Sequence, residues 1–232
     1  MASLLSFNVP NSPRVVFGAG RLNELHTLPM PGKKALIVIS KGKSTRANGY
    51  LDRLENELRQ SGCAYVIFDR IQANPLKETV EEGAEWAKSE NCDFIIVLGG
   101  GSVMDSAKVM AMKATNEGDL WDYVMSGTGK RMTPIHAPLP WIAIPTTAGT
   151  GSEVDAGGVI TNLKTKEKLG IYKINRNCVW VTIITINSYY TSSFFYQKFL
   201  GKLYVYFSFY SSYWSKHNNI SFNRIALHFA IV

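Results

Sequence analysis

The chain has 232 residues, 46% of them hydrophobic and 19% charged, which is ordinary for a globular protein with a well-buried core. The formal net charge of +7 is unevenly placed: residues 1–167 carry 18 bases and 18 acids, and seven bases without any acid follow. Because nucleic-acid binding usually needs a basic face on a folded module, a neutral body with a basic tail argues against a nucleic-acid partner.

Strand-like and helix-like segments alternate along the first 144 residues. Short runs rich in β-branched residues predict strands at 14–17, 33–39, 65–68, 94–98 and 141–144. Apolar residues at helical spacing predict helices that begin at Arg21 and that cover 51–58, 79–90 and 103–113. This alternation predicts an α/β fold with an open, mostly parallel sheet and helices on both faces. Such sheets bind ligands beyond the carboxyl ends of their strands.

Three consecutive glycines follow the strand at 94–98, in the segment Gly99-Gly100-Gly101-Ser102. A diphosphate needs backbone N–H donors with no side chains in the way, and glycines before a helix N-terminus supply both. Ser102 is predicted to cap that helix and to bond a phosphate oxygen. The alternative is a tight turn without a ligand. The segment does not match G-x-G-x-x-G, because Met104 occupies the last glycine position.

The loop after the strand at 141–144 carries four hydroxyl side chains and two glycines within residues 145–153. Hydroxyls at a strand end suit hydrogen bonds to a ribose, a phosphate or a nicotinamide amide. The alternative is a helix cap in which Thr150 and Glu153 form a capping box. The two interpretations are compatible with each other.

Other polar residues are less specific. Asp105 and Lys108 are spaced for either a surface ion pair or a role beside the glycine loop. His26 and His136 have no metal-like partners nearby in the sequence, and we expect them at the surface or in loops.

The composition changes near residue 171. Residues 171–232 hold 17 of the 27 aromatic residues, no Asp, Glu or Pro, and one glycine. The apolar run 194–214 is interrupted by Lys198 and Lys202, so no membrane span is expected. Three scattered cysteines and an N-terminus without a secretory pattern predict a cytoplasmic protein.

The loops occur in an order that resembles the iron-containing alcohol dehydrogenase family, which includes butanol dehydrogenases and lactaldehyde reductases. The motifs are Phe17-Gly18-x-Gly20, Asn74-Pro75, Gly99-Gly-Gly-Ser-x-x-Asp105-x-x-Lys108 and Ile144-Pro-Thr-Thr-Ala-Gly-Thr-Gly-Ser-Glu153. The resemblance covers about residues 6–172. It implies a dehydroquinate-synthase-like nucleotide-binding domain at 1–172, hydride transfer between NAD(P) and a short alcohol or aldehyde, and a homodimer or a larger assembly.

The resemblance also implies roles for individual residues. The diphosphate would lie on Gly99, Gly100, Gly101 and Ser102, with Asp105 alongside, and Asn74 would contact the adenosine side. The ribose and nicotinamide end would be lined by Thr146, Thr147, Thr150 and Ser152, and Lys168 would reach the cofactor.

Ser40 occupies the strand-end place where NAD-using relatives often have an Asp. It is followed by Lys41, Lys43 and Arg46. A carboxylate there would repel a 2′-phosphate, whereas hydroxyls and bases would bind one. We therefore expect NADP(H) to be preferred over NAD(H).

Family members continue with a helical domain whose Asp and His side chains hold Fe²⁺ or sometimes Zn²⁺, which polarises the substrate oxygen. That segment has no counterpart in this sequence, so the resemblance assigns no catalytic or metal-binding residue here. We interpret residues 173–232 as an aberrant tail produced by a frameshift, a retained intron or a mispredicted exon. The alternative is a genuine divergent tail whose aromatics pack on the sheet. For the chain as written, a dinucleotide-binding module without turnover is the alternative to an active enzyme.

Overall fold

The computed structural model describes residues 7–9, 14–147, 150–172, 174, 179–184, 192–199, 202–209 and 227–230. These residues belong to two compact units, Met1–Thr185 and Ile186–Val232. Among the helices of this described part, none is both long enough and apolar enough to cross a bilayer.

The first unit alternates strands with helices, as the sequence predicts. Its described strands are β1 (Phe7–Val9), β2 (Arg14–Phe17), β3 (Lys34–Ser40), β4 (Ala64–Ile71), β5 (Phe94–Gly99), β6 (Trp141–Pro145), β7 (Gly158–Asn162), β8 (Glu167–Ile171) and β9 (Val179–Ile184). Its described α-helices are α1 (Ser44–Ala47), α2 (Tyr50–Gln60), α3 (Lys77–Ser89) and α4 (Gly101–Lys113), and two 3-10 helices cover Arg21–Thr27 and Leu120–Tyr123.

Seven of these strands form one sheet in the order β1-β2-β9-β6-β5-β3-β4. Every neighbouring pair is parallel except β1 and β2 at one edge. The strands β7 and β8 form a separate antiparallel hairpin. The predicted α/β fold with a mostly parallel sheet is therefore confirmed.

Two apolar layers cover the sheet. Leu36 and Val38 of β3 pack with α3 and α4 on one face, whereas Ile37 and Ile39 pack with α2 and the first 3-10 helix on the other. A strand buried on both faces needs apolar residues at every position, because its side chains alternate between the faces. This is why the central strands are continuous apolar runs.

Helix α4 is the most deeply placed helix of the first unit's described part, with ten of its thirteen residues buried. The helix α2, by contrast, buries one stripe that contains Leu51, Leu54 and Leu58. A helix that is apolar on all sides lies inside the protein, and its polar residues are then buried as well.

The first unit extends beyond the boundary predicted near Tyr172. Strand β9 (Val179–Ile184) lies between β2 and β6, and the unit ends at Thr185. In the second unit, β10 (Ser192–Phe199), β11 (Lys202–Phe209) and β12 (Leu227–Ala230) form an antiparallel sheet. The alternative in which the aromatic side chains of the tail pack on the sheet stays a prediction, because those side chains lie outside the described part of the chain.

Candidate functional site

The predicted binding residues lie along one edge of the sheet. Ser40 ends β3, Asn74 follows β4, Gly99 ends β5 and Thr146 follows β6. The four strands are neighbours in the order β4-β3-β5-β6, and all are parallel. With roughly 4.8 Å between adjacent strands, this row spans roughly 14 Å of the carboxyl edge.

The glycine loop leads directly into α4. Gly100 is the N-cap with φ −91° and ψ −172°, and no side chain of the described residues caps this helix. The prediction that Ser102 caps the helix is wrong, because α4 already begins at Gly101 and Ser102 lies in its first turn. The uncapped N-terminus leaves backbone N–H groups directed beyond the strand end, as an anionic ligand requires.

The glycines are required because two loops approach each other closely. A Cβ atom added to Gly100 would lie 2.8 Å from Thr147 Oγ1, and one added to Gly101 would lie 2.8 Å from Thr150 Cγ2. The backbone N–H of Thr146 donates to the carbonyl of Gly99 at 3.0 Å. Since the φ of Gly100 is negative, the turn alone does not demand glycine there. The structure thus brings together the two loops that the sequence singled out.

The hydroxyl side chains of the second loop divide into two groups. Thr146, Thr147 and Thr150 are exposed at the sheet edge, whereas Ser152 is buried. The predicted capping box is wrong, because residues 152–154 form a turn rather than the start of a helix. Instead, Thr150 Oγ1 accepts a hydrogen bond from the backbone N–H of Ser152 at 3.3 Å.

A polar network lies beneath this loop. Lys108 is only 1% exposed, so the interpretation of Asp105 and Lys108 as a surface pair is wrong. The Nζ of Lys108 donates to Ser152 O and Oγ, both at 2.8 Å, and to the Asp155 carboxylate. It lies 3.6 Å from Asp105 Oδ1. A cleft of about 290 Å³ lies beside the network, and its lining includes Asp105, Asp155 and Tyr172.

Two predicted residues that are distant in sequence are paired in space. Lys168 Nζ donates to Asn74 Oδ1 at 2.7 Å, and both side chains are exposed. Asn74 has φ 54°, a left-handed conformation that Asn tolerates better than most residues. The β7–β8 hairpin is held there by a hydrogen bond from Thr161 N to Pro75 O at 2.7 Å.

The basic residues after Ser40 have partners of their own. Lys41 Nζ donates to Gln72 Oε1 at 3.2 Å. Arg46 donates to Asp69 Oδ2 at 2.7 Å, and both side chains are about half exposed. Exposed ion pairs of this kind contribute little to stability. A phosphate, which carries more charge than a carboxylate, can therefore replace Asp69 as the partner of Arg46.

The histidines within the described side chains have structural partners. His26 Nδ1 lies 2.6 Å from Glu57 Oε2, whose side chain is 4% exposed. The backbone N–H of His136 donates to Asn116 Oδ1 at 2.9 Å. Within the described residues, no group of three or more His, Cys, Asp or Glu side chains is arranged to hold a metal ion.

Burial raises the pKa of the Glu153 carboxyl, the proximity of Asp155 adds to this, and the charge of Lys108 opposes it. A carboxyl with a raised folded-state pKa stabilises the fold below its unfolded value and loses that stabilisation as pH rises through the folded value. We therefore expect Glu153→Gln to gain stability relative to the wild type as pH rises above about 4.3. Urea unfolding from pH 4 to 8 measures this. The exposed Glu117→Gln is the control for removal of a surface charge, and a Glu153→Gln difference that stays flat with pH would contradict the assignment.

Three comparisons with known proteins agree with one another. A sequence profile described as iron-containing alcohol dehydrogenase matches residues 12–184. The chain is 41% identical over 140 residues to 1,3-propanediol dehydrogenase from Citrobacter freundii, covering 60% of this chain and 35% of that protein. It is 35% identical over 169 residues to NADH-dependent butanol dehydrogenase A from Clostridium acetobutylicum, covering 72% and 42%.

A solved structure gives the same result. The archaeal halo-thermophilic alcohol dehydrogenase from a Red Sea brine pool superposes with a TM-score of 0.68 at 34% identity, covering 78% of this chain and 45% of that one. This chain therefore spans less than half of the length of these relatives.

Proposed function

Because this chain belongs to the iron-containing alcohol dehydrogenase family, we propose that it binds a nicotinamide dinucleotide along the carboxyl edge of its sheet. The membership confirms the resemblance inferred from the motifs. The observation that carries the proposal is the close contact of the glycine loop 99–102 with the threonine loop, whose described residues are 146, 147 and 150–152. In the whole protein, the bound nicotinamide would exchange a hydride with a short alcohol or aldehyde.

The diphosphate is proposed to lie at the N-terminus of α4. The first-turn N–H groups and the positive end of the helix dipole favour an anion there. Gly100 and Gly101 let the threonine side chains lie against this N-terminus, because a Cβ atom on either glycine would meet Thr147 or Thr150. The carboxylate of Asp105 is already used by the backbone N–H of Val159 and the hydroxyl of Ser152, so this side chain orders the rim of the site.

The two ends of the dinucleotide would lie on either side of the diphosphate. Asn74 and its partner Lys168 stand beyond β4, which suits the adenosine half. Thr146, Thr147 and Thr150 stand beyond β6, and their exposed hydroxyls suit the ribose and the nicotinamide amide. The order of the strands thus supports one extended orientation of the ligand.

We propose that NADP(H) is preferred, because Ser40 leaves no carboxylate at the end of β3 and Lys41 and Arg46 stand nearby. Ser40→Asp should reverse the preference, since a carboxylate repels a 2′-phosphate and accepts hydrogen bonds from a 2′-hydroxyl. We expect the NADPH Kd to rise about tenfold, the effect of about 1.4 kcal/mol. The ratio of the NADH and NADPH Kd values measures this, and Ser40→Asn is the uncharged control. A wild-type chain that binds NADH more tightly would contradict the proposal.

The family also uses a metal ion, which polarises the substrate oxygen when it is bound. The side-chain clusters of the described residues do not fit such an ion, so no step is assigned to it here. What these residues would do is hold and orient the nicotinamide.

The second candidate is a module that binds the dinucleotide without turnover, since the described residues include both binding loops. Incubating the purified chain with NADPH, butanal and added Fe²⁺ or Zn²⁺ separates the candidates. Turnover that is lost on chelation supports the enzyme, and binding without turnover supports the module. Absence of dinucleotide binding would contradict both. A cytoplasmic location, a homodimer and the absence of a nucleic-acid partner are further proposals.

A further inference from the structure

Lys108 is a buried charge to which the proposed function assigns no role. We infer that Lys108 is a positioning residue that holds the threonine loop against the glycine loop, so that Thr147 and Thr150 face the dinucleotide. This inference rests on the proposed dinucleotide site. It assigns Lys108 no contact with the ligand.

The surroundings of the Lys108 ammonium group match its hydrogen-bonding capacity. An ammonium group has three donors, and here they meet Ser152 O, Ser152 Oγ and an oxygen of Asp155. A buried charge is costly unless it is paired and hydrogen-bonded. The residues that carry these acceptors are therefore held in place around a group that is 1% exposed.

Ser152 transmits this constraint to the site. Its hydroxyl donates to Asp105 Oδ1 and accepts from Lys108 Nζ, so two side chains of α4 fix its position. Its backbone N–H donates to Thr150 Oγ1, and Thr150 lies against Gly101. A shift of Ser152 would therefore move the hydroxyl that faces the glycine loop.

A second buried lysine on the same helix provides a matched control. Lys113 is 7% exposed and lies in the last turn of α4, at the opposite end from the glycine loop. Its Nζ donates to Asn116 O at 3.2 Å. Loss of either ammonium group should cost stability, but only the loss of Lys108 should alter the loop.

The test compares Lys108→Met with Lys113→Met in the full chain. NADPH fluorescence titration gives the Kd, and urea unfolding gives the stability. We expect a Kd about tenfold higher for Lys108→Met and an unchanged Kd for Lys113→Met. Equal Kd values for Lys108→Met and the wild type would overturn the inference, as would an equal rise for Lys113→Met.

Ser152→Ala tests the same chain of contacts and remains informative if Lys108→Met does not fold. It should raise the Kd by itself, and adding Lys108→Met should add less than the sum of the single effects. Lys108→Arg keeps the charge and should restore part of the binding. An unchanged Kd in Ser152→Ala would overturn the inference. A wild-type chain that binds no dinucleotide would instead refute the proposed function.

Discussion

Gly101→Val is expected to remove dinucleotide binding while the sheet stays folded. A Cβ atom at this position would lie 2.8 Å from Thr150 Cγ2 and 3.1 Å from its Oγ1. Thr150 must then move away from the N-terminus of α4, which separates the two groups of residues proposed to hold the dinucleotide. We expect the NADPH Kd to rise about 100-fold, the effect of about 2.8 kcal/mol of lost binding free energy.

The control is a glycine that is equally crowded but distant from the sheet edge. A Cβ atom at Gly83 of α3 would lie 2.4 Å from Met110 Cε, inside the core. Gly83→Val should therefore lower the free energy of unfolding by about 1–3 kcal/mol and leave the Kd unchanged. A Gly101→Val variant that binds NADPH like the wild type would contradict the proposed position of the diphosphate.

Among the variants proposed for this protein, Trp141→Ala is expected to lower the free energy of unfolding most. Trp141 is 1% exposed at the start of β6, where its backbone pairs with Ile95 on one side and with Val179 on the other. Truncation of a buried Trp costs about 3–5 kcal/mol through lost burial and the cavity that remains. This is a large share of the 5–15 kcal/mol typical of a folded domain.

Equilibrium urea unfolding measures this loss. Trp86→Ala is the matched control, because Trp86 is only partly buried and packs edge-on against Phe68 under Arg70. We expect a clearly smaller loss for Trp86→Ala. Similar losses for the two variants would show that β6 is not in the interior of the sheet.

The sequence predicts the central strands well for a physical reason. Strands β3, β5 and β6 are buried on both faces, so their sequences are short apolar runs that end abruptly at polar loops. The two loops proposed to bind the dinucleotide follow β5 and β6, and parallel neighbours bring their carboxyl ends to one edge. The sequence alone thus predicts that these loops meet.

The burial of Lys108 follows from the apolar pattern of the helix that carries it. Val103, Met104, Val109 and Met110 place apolar side chains on all sides of α4, and such a helix is buried together with its polar residues. The spacing of Asp105 and Lys108 by itself favours a surface ion pair. Asp155, which accepts a hydrogen bond from Lys108, lies 47 residues further along the chain, so this contact depends on tertiary packing.

Strand β9 shows a different limit. Val179–Ile184 is β-branched at five of its six positions, which fits a buried strand. The surrounding sequence has no acidic residues and is rich in aromatics, and this composition favours an aberrant tail over a strand of the sheet. Similarly, the pairing of Arg46 with Asp69 depends on the β3–β4 alignment, which no local pattern encodes.

Isothermal titration calorimetry of the full chain with NADPH and with NADH tests the central claim most directly. We predict saturable heat with one equivalent of dinucleotide per chain, stronger for NADPH, and no saturable heat for Gly101→Val. A folded wild-type chain that gives no binding heat with either dinucleotide, over temperatures that rule out a vanishing enthalpy, would contradict the claim that its two strand-end loops form a nicotinamide dinucleotide site.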